Sequence, residues 1–110
     1  MLEESASLNR ETGERLLEAH SHTGLGHVSR SLGRLDRAAE SFERSLELRR
    51  AVGDRVGEAW MWRRLAETRA ALGQETAARD AADVAATLAA ATGETDLIAA
   101  CAAPLPATQS

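Results

Sequence analysis

The chain has 110 residues, a formal net charge of −4 and 44% hydrophobic residues, but only 3% aromatic residues and 2 prolines. This length suffices for one small domain. Ala, Leu, Glu and Arg dominate; they are strong helix formers, and the scarcity of β-branched and aromatic residues argues against a β-sheet.

The breakers and the apolar periodicity predict six helices. The first is expected from about Leu2 to Glu11, with Gly13 supplying a left-handed turn that folds it back on its successor. The second runs from about Glu14 to Leu32 and ends at Gly33. The third covers about Asp36 to Ala51, with Asp36 placed to cap its free amides, and closes at Gly53. Asp54 caps the fourth, about Arg55 to Leu72; Gly73 stops it, and the fifth extends from about Glu75 to Ala91. Gly93 precedes a short sixth near Asp96 to Ala102, and Pro104 and Pro106 mark residues 103–110 as a disordered tail.

These elements recur. Forty residues separate Gly13 from Gly53 and Gly53 from Gly93, and the same step carries Leu25 onto Leu65, Leu32 onto Leu72, Gly33 onto Gly73 and Ala38 onto Ala78. It also relates Leu2 to Phe42, Ser5 to Ser45, Leu8 to Leu48 and Arg10 to Arg50, so the sequence is expected to open inside the second half of a unit. Such a period denotes stacked helical units, none able to bury its apolar face alone. The expected organisation is a partial unit 1–12, units 13–52 and 53–92, and a partial unit 93–102. An array this short exposes apolar surface at its ends.

Within the units, Ala59, Trp62, Leu65, Ala66, Arg69 and Leu72 fall on one stripe, and Leu35, Ala38, Phe42, Ser45, Leu46 and Leu48 on another. The stripes are expected to face each other, with Gly26, Ala38, Ala66 and Ala78 at close helix approaches and Trp62 buried between the fourth and fifth helices. Trp60 points about 200° away from Trp62 around the helix, so the two cannot enter one pair core. It is either an exposed anchor for a partner or packed on a neighbouring helix.

Charge and chemistry narrow the function classes. The whole net charge lies after Gly73, where Glu75, Asp80, Asp83, Glu94 and Asp96 face Arg79 alone. Arg49-Arg50 and Arg63-Arg64 are interleaved with Glu at helical spacing, which reads as a solvated, ion-paired face rather than a track for nucleic acid. Every basic residue besides histidine is Arg and none is Lys, a usage expected of a G+C-rich bacterial genome. His20 and His27 lie about 10 Å apart along a helix and His20 and His22 point to different faces, so no metal site is expected. Gly24-Leu25-Gly26 lacks the Lys and hydroxyl of a phosphate loop, and no paired carboxylates or Cys-His pair stand out, so neither a cofactor nor catalysis is expected. Cys101 is the sole cysteine, in an Ala-rich setting that favours an inert thiol. No segment resembles a secretory signal or a membrane span, so a soluble, cytoplasmic protein is expected.

Trp62-x-x-Leu65-Ala66, Leu72-Gly73 and Ala78, with Leu25-Gly26, Leu32-Gly33, Ala38 and Phe42 in the preceding unit, resemble the tetratricopeptide repeat. The likeness covers residues 2 to 102 and departs from the pattern at His22, Ser29, Arg69 and Ala82, which stand where aromatic residues are usual. With its forty-residue period and Gly-Asp-Arg-x-Gly-Glu-Ala junction, the array looks like those of multidomain bacterial transcriptional regulators. The resemblance implies an all-α solenoid whose first helices line a concave face. It sets His20, Thr23, His27 and Arg30 of one unit beside Trp60, Arg63, Arg64 and Glu67 of the next. The function it implies is a noncatalytic scaffold for a protein segment; the alternative is a self-associating helical module that forms a homodimer without a peptide ligand.

Overall fold

Four of the five glycines expected to turn the chain do so. Gly33, Gly53, Gly73 and Gly93 take φ values between 71° and 83°, where a side chain would be strained. The computed structural model describes residues 2–108, with side chains from Arg10 onward. It contains five helices: α1 (Leu2–Ser31), α2 (Leu35–Val52), α3 (Arg55–Ala71), α4 (Glu75–Thr92) and α5 (Thr95–Ala102). Each packs on the next through a short turn, α5 also touches α3, and no strand occurs among the described residues. The all-α, paired-helix architecture is therefore as the sequence implies.

The exception is Gly13, which lies inside α1, so the expected first and second helices are one helix of 30 residues. Glycine permits a left-handed turn without requiring one. At Gly53 the turn is held by the burial of Ala38, Phe42, Leu46 and Leu48 from α2, whereas the residues before Gly13 offer Met1, Leu2, Ala6 and Leu8 as their apolar groups, with no aromatic among them. The fold-back of residues 2–11 does not occur. A second correction concerns Asp36. The residue before α2 is Arg34, no side chain caps that end, and Asp36 sits within the first turn, where it complements only the helix dipole.

The junction between the units follows from its residues. Gly53 reverses the chain, the Asp54 carboxylate accepts the Gly57 N–H at 3.0 Å, and its second oxygen accepts Arg49 Nη1 at 2.8 Å. A Cβ at Gly57 would collide with both side chains. Arg50 pairs with Glu58 at 3.6 Å, and Ala59 is fully buried against Ala89 and Leu97.

The principal core joins α2 to α3 through Ala38, Phe42, Leu46, Met61 and Leu65. Gly26 of α1 meets Phe42 so closely that a Cβ there would lie 2.5 Å from the ring. Ala38, Ala66 and Ala78 are buried, as expected of residues at close helix approaches. Trp62 differs from expectation. It is half-buried, packs on the Phe42 cluster, and lies with the Arg50 guanidinium 5.8 Å from its ring centre, so it faces α2 rather than α4. The buried face of α4 is Ala78, Ala81, Ala85 and Ala89, a row of methyl groups that brings helices close and leaves no slot for an indole.

The segment Pro104–Thr108, read from sequence as part of a disordered tail, lies along α3 and the start of α4. The Pro104 carbonyl accepts from Arg63 Nη2 at 3.4 Å, and residues 105–108 line a cavity of about 220 Å³ with Ala70, Glu75, Ala78 and Arg79.

Candidate protein-binding cleft

Between α1 and α3 lies an open cleft of about 280 Å³ lined by His20, Thr23 and His27 from α1, Arg49 from α2, and Gly57, Trp60, Met61 and Arg64 from α3. Its floor is apolar. Trp60 is half-buried against both hydrophobic clusters while still lining the cleft, and the Arg64 guanidinium stands 5.2 Å from its ring centre. That stacking holds the cation at the rim and shields one indole face.

The α1 wall is fixed from below. Thr23 Oγ1 donates to Ala19 O at 3.0 Å and lies 2.8 Å from Ser45 Oγ, and Arg49 donates to Ser45 Oγ at 3.1 Å and to Asp54. Arg49 Nη2 also reaches His20 Nδ1 at 3.3 Å. Because the guanidinium can only donate, His20 Nδ1 is the acceptor in this contact, which requires the tautomer with its proton on Nε2. His27 is exposed and sets its ring edge-on to Phe42 at 5.2 Å. Partial burial, then Arg64 and Arg30, push its pKa below the ordinary imidazole value, with Glu67 opposing. Arg64 and Arg30 thus set positive charge at the His27 end of the cleft, partly offset by Glu67.

At that end the remaining expected residues form a charge cluster. Glu67 accepts from Arg30 Nη1, Arg63 Nε and Arg64 Nη1, each at 3.0 Å. Burial raises the Glu67 pKa, but the three guanidinium hydrogen bonds outweigh it and hold the carboxyl below its usual range. Of the eight residues singled out from sequence, His20, Thr23, His27, Trp60 and Arg64 thus line one cleft, and Arg30, Arg63 and Glu67 close its end. Arg63 is the surprise, since its side chain is 3% exposed and is spent on Glu67 and Pro104.

The reading of Arg49 and Arg63 as members of a solvated face is corrected accordingly: both are buried, whereas Arg50 and Arg64 keep solvent contact. Arg49, Gly57 and Met61 were missed as lining residues. A signal for Arg49 existed, because it falls four residues after Ser45 on the buried stripe of α2 and just before an Asp-x-x-Gly turn. For Met61 it was fainter, since α3 carries apolar residues all round and no single stripe identifies the cleft side.

Other chemistry is sparse. Among the described residues no three His, Cys, Asp or Glu side chains gather to hold a metal, and no helix is long and apolar enough to cross a membrane. Cys101 is half-buried beside Ala86, Ala89 and Ile98, and burial pushes its thiol pKa up, in keeping with an unreactive group.

Paired helices, αL glycine turns and the Gly26–Phe42 contact reproduce the elements that the sequence resemblance rested on, and residues 16–91 match the tetratricopeptide repeat family. The chain belongs to that family. Tetratricopeptide repeats are protein-interaction modules, and the α1–α3 cleft of this one sets the half-buried Trp60 beside Arg64. Neither the curated proteins nor the solved structures contain a match to the chain.

Proposed function

We propose that this tetratricopeptide repeat array is a noncatalytic scaffold that binds a protein segment in the α1–α3 cleft, on the concave side of the solenoid, as the interaction module of a cytoplasmic regulatory protein. The observation that carries this reading is the Trp60–Arg64 stack at the cleft rim, with His20 and His27 opposite. An apolar anchor on the segment covers Trp60 and Met61, and an acidic group meets Arg64 and His27. Arg63 contacts no ligand in this scheme and instead positions Glu67, which holds Arg30 and Arg64 at the end of the cleft.

Selection of peptides from a random library on the immobilised chain tests the reading. Enriched peptides should pair an acidic residue with an aromatic or aliphatic one, and calorimetry should show a loss of about 2 kcal/mol with Trp60→Ala, as for a central anchor. Arg64→Glu should slow association in low salt more than in high salt. Peptides that bind both variants as tightly as the original chain would remove the cleft as the site.

A further inference from the structure

α1 carries an apolar stripe that nothing among the described residues covers. Leu17, Leu25, Val28 and Leu32 are 54–69% exposed, around the helix from the residues that line the cleft. The repeat shows what such a stripe requires. Forty residues later, Leu65 and Thr68 are fully buried, and Leu65 shares a cluster with Phe42 and Leu46 of α2, the helix that precedes α3. The equivalent cover for α1 is the segment forty residues before Phe42–Arg50, which is Leu2–Arg10 of this same chain.

That segment cannot reach its own stripe. α1 is continuous through Gly13 and forms a rod of about 45 Å at 1.5 Å per residue, so Leu2–Arg10 extends away from Leu17–Leu32. We propose that it docks on the stripe of a second copy, two α1 helices lying antiparallel and crossing near Gly13. Charge complementarity fixes the register. In the covered unit Arg50 pairs with Glu58 across the turn, and forty residues earlier stand Arg10 and Glu18. Arg10 of one copy therefore lies beside Glu18 of the other, twice by symmetry. Gly13 sits at the crossing, where a Cβ would meet only open space beyond its own helix backbone, and lets the two backbones approach. The partner is a second copy of this chain, and the stripe is independent of the cleft.

A disulfide reads this arrangement directly. In a Cys101→Ser background, Arg10→Cys with Glu18→Cys is expected to give a covalent dimer on mild oxidation, reversed by reductant. On one straight helix the two positions are about 12 Å apart, beyond the reach of a disulfide. A bridged monomer, showing fold-back within one chain, or thiols that stay reduced would overturn the proposal. Sedimentation equilibrium on the unmodified chain supplies the second arm. It should show a dimer that Val28→Glu weakens by at least about tenfold, through burial of a charge in the apolar contact, while the circular dichroism melt of the diluted monomer is retained. A chain that stays monomeric throughout would equally refute it.

Discussion

α1 and α3 occupy the same place in successive repeats and live in different surroundings. Leu25 is 54% exposed and its counterpart Leu65 is wholly buried; His27 is open to solvent, whereas Glu67 gathers three arginines. Ala19, Leu25 and Leu32 recur as Ala59, Leu65 and Leu72, but Leu25 and Leu32 lie open. A helix in a repeat array owes its burial to the neighbour on each side, so identical apolar residues stabilise the central unit and leave the flanking one with an unspent surface.

The comparison can be broken most sharply at the charged pair. Glu67→Ala should cost about 3–5 kcal/mol, because it strands the buried Arg63 guanidinium, while His27→Ala should stay within about 0.5 kcal/mol. Urea unfolding of the two variants measures this, and equal losses would mean that the cluster is not specific to α3. Next in size, Leu65→Ala should cost about 2–5 kcal/mol and Leu25→Ala less than about 1 kcal/mol in the monomer, since only the first leaves a cavity.

The glycines give a difference of sign. Gly53→Ala forces a Cβ into a left-handed turn and should destabilise by more than about 1 kcal/mol, whereas Gly13→Ala should stabilise α1 by about 0.5–1 kcal/mol. Thermal melts of the diluted monomer, where no second α1 lies on Gly13, that fall for both would show that Gly13 turns after all.

The smallest effect is in pH. Glu67 has a depressed pKa in the folded state, so its contribution is complete above the ordinary carboxylate pKa of about 4.3 and is lost as pH falls through the folded value. Glu67→Gln should flatten stability in that acid window. The His27 pKa is also depressed when folded, so protonation below about 6.5 disfavours the native state slightly, and an acidic ligand that restores the proton should bind more tightly as pH falls through that value.

Much of this was legible in the residues. The forty-residue step, the glycine turns at Gly33, Gly53, Gly73 and Gly93, and the Asp54 cap depend on local chemistry, and local chemistry is written in sequence. The fate of Gly13 was not, because whether a permitted turn is used depends on how much surface the fold-back buries. The placement of Trp62 was misjudged for a related reason. Spacing set Trp60 and Trp62 on different faces and excluded a shared core, yet both pack on the Phe42–Leu65 cluster; which helix Trp62 would meet turned on the small side chains of α4, and an all-alanine face only acquires meaning once another helix lies on it. The cleft was found in outline through His20, Thr23, His27, Trp60 and Arg64, while the burial of Arg49 and Arg63 came with partners distant in sequence, His20 and Thr23 on α1 and Pro104 beyond α5.

Both tryptophans lie on α3, and the chain has no tyrosine. Intrinsic fluorescence excited at the indole band therefore reports on the middle of the array alone, with two emitters in different settings: Trp60 lining the cleft, within reach of quenchers and ligands, and Trp62 under Arg50, its buried Nε1–H without a partner among the described residues. Ellipticity, by contrast, averages over all five helices. Where the outer helices fray before the centre melts, the two spectroscopic curves should separate in denaturant, and the gap between their midpoints measures how far cooperativity extends from one repeat to the next.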